Sequence, residues 1–462
     1  MNESNLGSIP NTQTRKGYAF FIAFVAATGG FLFGYDLVIV TGANEFLKEQ
    51  FQLSDMAFGF TTSSAMIGCV LGPFLGFKLC DGIGRKNTLI LAGVLFGVSA
   101  VMTAIPKDMV TFNIFRIVGG LGVGLSSLAS PMYIAEVAPP RMRGRLGIMY
   151  QLAIASGATL SAVVAYLLAE NLAETVSWRW MFASELVAIV VFLACLLTVP
   201  KSPRWLAEKG RFDEAHAVLT KIDGPGFASF EIEEIKGNIN QEEGSWGELF
   251  GSGLRMALLV GCLLALFNNW TGWTAMAYYM PSIFLEAGIE TKAESLAWYS
   301  GVNLWQVVLT IVALFLVDRL GRRPLWIFGS IFMACTMTII GLNFIFSLNG
   351  AFAFLFILIL LCAIPHALGL GSIPWFMMSE LFPTRLRAKA VMMTTTVIWI
   401  AGYTAGQFMP VLMGAAEGKT GTVGPAFLVF TVICVLSLIF GVKLLPETKG
   451  RTLEEIARSW KK

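Results

Sequence analysis

Apolar residues along this chain do not alternate with polar ones. They come in long blocks. Twelve of these recur, at about 18–41, 57–79, 88–106, 111–134, 146–168, 178–199, 256–283, 296–317, 324–346, 351–378, 388–413 and 424–445, with short polar segments between most of them. A helix needs about 20 mostly apolar residues to cross the hydrocarbon layer of a bilayer, and each block is of that order. Backbone groups in lipid must bond within their own helix or around a closed barrel, and the ten-residue alternation of barrel strands is missing, so helices are expected. Composition agrees, with 56% hydrophobic residues, 14% charged and a mean hydropathy of +0.70. Soluble domains carry roughly 25% charged residues. The expected fold class is therefore an all-α polytopic membrane protein with twelve transmembrane helices.

Charge adds an orientation. With both termini in the cytoplasm, the inner segments hold 27 of the 33 Lys and Arg, as the positive-inside rule requires. A net charge of +3 without an extended basic patch gives no reason to expect a nucleic-acid partner. The seven cysteines lie in or beside apolar blocks without metal-ligand spacing. There is no nucleotide-binding loop, metal cluster or nucleophile–base set, so the sequence predicts no cofactor, no metal and no enzymatic chemistry. The first block lacks a convincing cleavage site and reads as a retained first helix.

Two motifs occur twice. Asp81-Gly-Ile-Gly84-Arg85-Lys86 follows the second block, and Asp318-Arg-Leu-Gly321-Arg322-Arg323 follows the eighth. Glu136, Pro139, Arg141 and Arg143 after the fourth block are echoed by Glu380, Pro383, Arg385 and Arg387 after the tenth. A lone D-x-x-G-R carries little weight, but two motifs repeated in register divide the chain into two six-helix pseudo-repeat halves, 1–200 and 256–462. Parallel repeats of this kind characterise rocking transporters with a central site. The charged stretch 201–255, broken at Asp223-Gly-Pro-Gly226, reads as a solvated cytoplasmic linker of short helices.

These motifs, together with "GGFLFGYD" at Gly29–Asp36, "SPMYIAEVAPPRMRG", "WRWMFASE", "PKSPRW" and "PETKGR", resemble the sugar-porter family of the major facilitator superfamily over nearly the whole chain. The likeness is greatest to its bacterial proton-coupled sugar symporters. It implies the major facilitator fold in a bacterial inner membrane, alternating access by a protein that works as a monomer, and a small polyhydroxy substrate held at mid-membrane. A facilitative uniporter is the first alternative. A transporter-derived nutrient sensor would need a long signalling tail, whereas 16 residues follow Pro446, and an organic-acid or drug exporter does not fit the full motif set.

Ionisable groups inside a membrane are costly and mark function by default. Asp36, Arg116 and Glu185 are three such groups. Asp36 and Arg116 either pair merely to hold the first half together, or Asp36 carries the coupling proton, its ionised form favoured by the guanidinium and its neutral form by desolvation. Glu185 matches the family's "FASE" glutamate and either relays the proton or ties helices. The resemblance assigns Arg85, Glu136, Arg143, Arg322, Glu380, Arg387 and Glu447 to a cytoplasmic gate that bridges neighbouring helices when the inner side is closed. Lys201 stands where the family usually has glutamate, which predicts a weaker latch in that half or a different partner for Lys201.

The stretch "NNWTGWTAMAYYMP", 268–281, places many hydrogen-bonding groups in an apolar block that Gly272 and Pro281 weaken. It aligns with the family's Gln-Gln-x-x-Gly-x-Asn-x-x-x-Tyr-Tyr, so Asn268, Asn269, Thr274 and Tyr278 are expected to line the substrate pocket. Phe33, Gln151, Asn303, Trp375 and Trp399 match other pocket positions of the family. Ala158, Ile398 and Ser372 depart from it, and with fewer long amides the pocket suits a deoxy, substituted or glycosylated sugar, or a cyclic polyol, better than plain glucose or xylose. His366 lies nine positions before Trp375, about half a turn out of phase in a regular helix, so a pocket role for it requires a distorted helix.

Overall fold

The structure, a computed structural model, describes residues 16–139, 142–239, 245–251, 254–346 and 352–449. Twelve helices in it are long and apolar enough to cross a membrane. The first six are α1 (Lys16–Gln50), α2 (Asp55–Gly82), α3 (Arg85–Ala104), α4 (Met109–Val137), α5 (Arg143–Asn171) and α6 (Glu174–Thr198). Short helices follow, α7 (Pro203–Glu208), α8 (Phe212–Asp223), α9 (Pro225–Ile239) and α10 (Trp246–Leu249). Trp205, Leu206, Leu219, Phe227 and Ile232 give α7–α9 a small core of their own.

The seventh span is interrupted. It comprises α11 (Arg255–Trp270) and α12 (Trp273–Tyr278), with α13 (Met280–Glu286) beyond. The break falls at Gly272, whose φ of +103° is open to glycine but strained for other residues. Next come α14 (Lys292–Leu320) and α15 (Arg322–Phe346). The tenth span is α16 (Phe352–Pro365), a π-helical turn (His366–Leu370) and α17 (Ile373–Glu380). Two long helices, α18 (Thr384–Thr420) and α19 (Gly424–Lys443), complete the bundle. The spans follow the twelve apolar blocks, but α1 and α18 run well past theirs. Hydropathy marks only the apolar part of a helix: the end of α18 continues into solvent, whereas that of α1 carries the buried Asn44, Phe46 and Leu47 into the bundle.

Lipid tails are as apolar as leucine, so close packing holds such helices together. A Cβ on Gly34 of α1 would lie 2.0 Å from the Ile154 carbonyl oxygen of α5, and one on Gly157 of α5 would lie 2.0 Å from that of Phe31. The two backbones touch because neither carries a side chain there. The halves meet along α2 with α18 and α5 with α14.

Candidate functional site

Between the halves lies a cavity of about 270 Å³. That is just under the ~300–1,000 Å³ usual for small-molecule pockets, which suits a ligand of one ring. On one side α1 presents Phe33, Gly34, Leu37, Val38 and Thr41, a single helical face, with Ile154 and Ala158 of α5 beside it. The other side is built from Trp273, Thr274 and Tyr278 of α12, Tyr299, Asn303 and Gln306 of α14, and His366. Of the sequence-predicted pocket residues, Phe33, Thr274, Tyr278 and Asn303 line this cavity. Trp399 lies one layer back, its ring 5.6 Å from that of Phe33. Gln151 and Trp375 are exposed and lie outside it.

The asparagine pair has another task. The Asn268 side-chain amide donates to the carbonyls of Leu370 and Gly371, at 2.9 and 3.0 Å. Asn269 donates to the carbonyl of Ile398 at 3.0 Å and to Asn268 Oδ1 at 3.3 Å. The amides therefore fasten α11 to the irregular tenth span and to α18, and neither residue is among the cavity's lining. The π-turn widens the tenth helix, and just after it Pro374 offers no N–H to the Leu370 carbonyl, which Asn268 satisfies instead. The same widening alters the helical phase, and His366 faces the cavity, its ring stacked on Trp273 at 5.4 Å and 23°. The π-turn is the distortion that a pocket role for His366 requires.

The three charged groups of the first half converge. Asp36, Arg116 and Glu185 are each no more than 1% exposed. Arg116 Nη1 donates to Asp36 Oδ1 at 2.6 Å, and Nη2 to the Asp36 carbonyl at 3.2 Å. The Phe182 ring faces the guanidinium at 5.6 Å. Glu185 lies within electrostatic reach of both. Asp36 Oδ2 and Glu185 Oε1 have no hydrogen-bond partner among the described residues. Two carboxyl groups share one cation in a medium where an uncompensated ion costs several kcal/mol. The trio is neutral when it holds one proton.

The repeated loop motifs form matching ladders. Arg85 Nη2 and Nε meet Glu136 Oε1 at 2.8 and 2.9 Å, and Ser202 donates to Glu136 Oε2 at 2.5 Å. In the second half Arg322 meets Glu380 Oε1 at 3.0 Å, and Thr448 donates to Glu380 Oε2 at 2.6 Å. Just before Thr448, Glu447 accepts the backbone amides of Arg322 and Arg323, both at 3.1 Å, at the start of α15. Partial burial pushes the Glu447 carboxyl up, but the amides of Lys449, Arg322 and Arg323 outweigh it and hold the group below the usual carboxylate range. Lys201 occupies the matching place before Ser202, and its ammonium lies 5.6 Å over the Trp205 ring. Each of these ladders lies within one half and its flanking segment. Arg387 stands in the first turn of α18, and Arg143 opens α5 with its side chain outside those described.

On the opposite face, bonds that sequence analysis missed join the two halves. Lys292 of α14 pairs with Glu49 of α1 at 2.5 Å and Glu174 of α6 at 2.8 Å. Ser282 donates to Glu45, and Gln407 Nε2 donates to the Met56 carbonyl at 2.9 Å. Asn44 Nδ2 donates to the Tyr278 carbonyl at 2.9 Å. With these in place, that face is shut. Their only sequence signal is a few polar residues near span ends, which is common to most membrane helices.

A family model described as "Sugar (and other) transporter" matches residues 22–460. The chain is 39% identical to the arabinose-proton symporter of Bacillus subtilis, over 98% of this chain and 97% of that one. Among solved structures it is similar to the inward-open form of the xylose transporter XylE from Escherichia coli, with a TM-score of 0.83, 34% identity and coverage of 96% of this chain and 100% of the other. The XylE structure bound to 6-bromo-6-deoxy-D-glucose gives a TM-score of 0.78 at 33% identity, over 96% and 99% of the two chains.

Proposed function

The chain belongs to the sugar transporter family of the major facilitator superfamily, and from that premise we propose that it imports a sugar or sugar-like polyol by alternating access, in symport with a proton. One observation carries the coupling. The face of α1 that lines the cavity and the Asp36 that bonds Arg116 belong to one continuous helix, so a motion of α1 changes both sites together. In the conformation described, Asp36 is held by its short bond to Arg116. When rocking lengthens that bond, the guanidinium stabilises Asp36 less, desolvation prevails and a proton binds.

Both termini lie in the cytoplasm in this proposal, supported by the concentration of Lys and Arg on the face of the two ladders. The Lys292 face is then external and shut, and the conformation is inward-facing. The greater similarity to the inward-open relative supports this assignment. The protein works as a monomer in the lipid bilayer, and Arg85, Glu136, Arg322, Glu380 and Glu447 brace each half during rocking.

The test is Asp36→Asn in proteoliposomes. The variant loses uphill accumulation driven by a proton gradient and keeps sugar counterflow. Uphill accumulation at the wild-type level would refute symport through Asp36, and a wild type that equilibrates sugar without responding to the gradient would establish uniport.

A further inference from the structure

Gln306 and His366 face the cavity from adjoining elements, since the π-turn that begins at His366 packs directly on α14. Neither side chain has a hydrogen-bond partner among the described residues, and both Gln306 Oε1 and His366 Nδ1 are buried. Buried polar atoms are seldom left in this condition. The neighbouring amides are already committed: Asn303 Nδ2 donates to the Tyr299 carbonyl at 3.0 Å, while the Asn268 and Asn269 amides are held by backbone. The stack on Trp273 fixes the plane of the imidazole, so its edge is presented in one orientation. No Lys, Arg, Asp or Glu is among the described lining residues, which matches an uncharged ligand.

We propose that Gln306 and His366 are specificity-determining residues, which together hydrogen-bond hydroxyl groups of a neutral, single-ring sugar. This inference rests on the sugar-transport function proposed above. The amide and the imidazole each combine donor and acceptor capacity, so a hydroxyl can donate to one and accept from the other. The asparagine pair of α11 shapes the wall that holds His366, and Gln306 with His366 reads the ligand.

The test is calorimetric titration of purified protein with L-arabinose, D-xylose, D-glucose, D-galactose and their monodeoxy analogues. His366→Phe keeps a ring on Trp273, and Gln306→Leu keeps most of the side-chain volume; melting temperature reports the fold of each. Each variant is expected to bind the best wild-type sugar roughly tenfold more weakly. One monodeoxy analogue, lacking the hydroxyl in question, should bind wild type and variant equally. Variants that bind the whole panel like wild type, or lose affinity uniformly across it, overturn the assignment, and if one variant does not fold the other decides. A wild-type protein that binds none of these sugars, nor their methyl glycosides, nor myo-inositol, would instead overturn the sugar-transport function, and this inference with it.

Discussion

Asn44 offers a direct handle on the rocking motion. It is buried in α1, two turns beyond Asp36, and donates to the carbonyl of Tyr278 at the end of α12. Thr62 donates to Asn44 Oδ1 at 3.0 Å, which fixes the amide with its NH₂ toward Tyr278. The bond spans the two halves, so it exists only while the Lys292 face, the outer one in the proposed orientation, is shut. In Asn44→Ala, Thr62 keeps its bond to the Phe58 carbonyl, but the Tyr278 carbonyl loses this donor. A buried hydrogen bond is worth about 1 kcal/mol net, and a carbonyl left unsatisfied costs up to about 3. At 1.4 kcal/mol per decade, the ratio of outward-open to outward-closed protein rises roughly 5- to 150-fold. Spin labels on cysteines replacing Glu170 and Glu290, exposed positions in opposite halves, would report this by double electron–electron resonance on a cysteine-free background. The long-distance population should grow. A folded variant with the wild-type distance distribution would refute the claim that this bond holds the outer face.

Four further perturbations have definite expectations. Lys292→Met removes two ion pairs whose carboxylates are 63% and 64% exposed, so the same labels should show at most about a tenfold shift toward outward opening, abolished near 1 M salt. Gly272→Ala imposes φ +103° on a residue whose Cβ would lie 2.9 Å from Met337 and Phe430, and thermal unfolding should show a loss of about 1–3 kcal/mol. Lys201→Glu would supply the start of α3 with the carboxylate that Glu447 gives α15, and melting temperature should rise with a gain of about 0.3–1 kcal/mol. Because the folded Glu447 carboxyl lies below its ordinary value, its stabilising contribution is complete above that value and fades as pH falls through the lowered one. The stability difference between wild type and Glu447→Gln should therefore be flat from pH 8 to 5.5 and shrink only in stronger acid.

Which parts of this molecule could be read without coordinates depends on how many partners each residue type admits. Twelve helices were legible because a bilayer accepts little else. Asp36, Arg116 and Glu185 were legible because charge in lipid is rare and must find charge. An asparagine can satisfy a ligand, a water or a neighbouring carbonyl, so the pattern 268–269 could not indicate that the carbonyls of Leu370, Gly371 and Ile398 had claimed the amides. His366 was hidden for a different reason: one π-turn shifts every later residue in phase, and no residue type uniquely encodes such a turn. Lys292, Asn44 and Gln407 act across a junction between distant segments, and that junction exists only in the folded bundle.

A trio with one acid in excess, beside a cavity whose described lining carries no Lys, Arg, Asp or Glu, limits what each cycle can gain from the membrane voltage. Under the proposed symport, a cycle that moves one proton with one neutral sugar would carry a single elementary charge inward. That is worth about 2.3 kcal/mol per 100 mV. At 1.4 kcal/mol per decade, a 100 mV potential alone can sustain an inside concentration about fifty times that outside, and scarce sugar becomes usable to the cell within that bound.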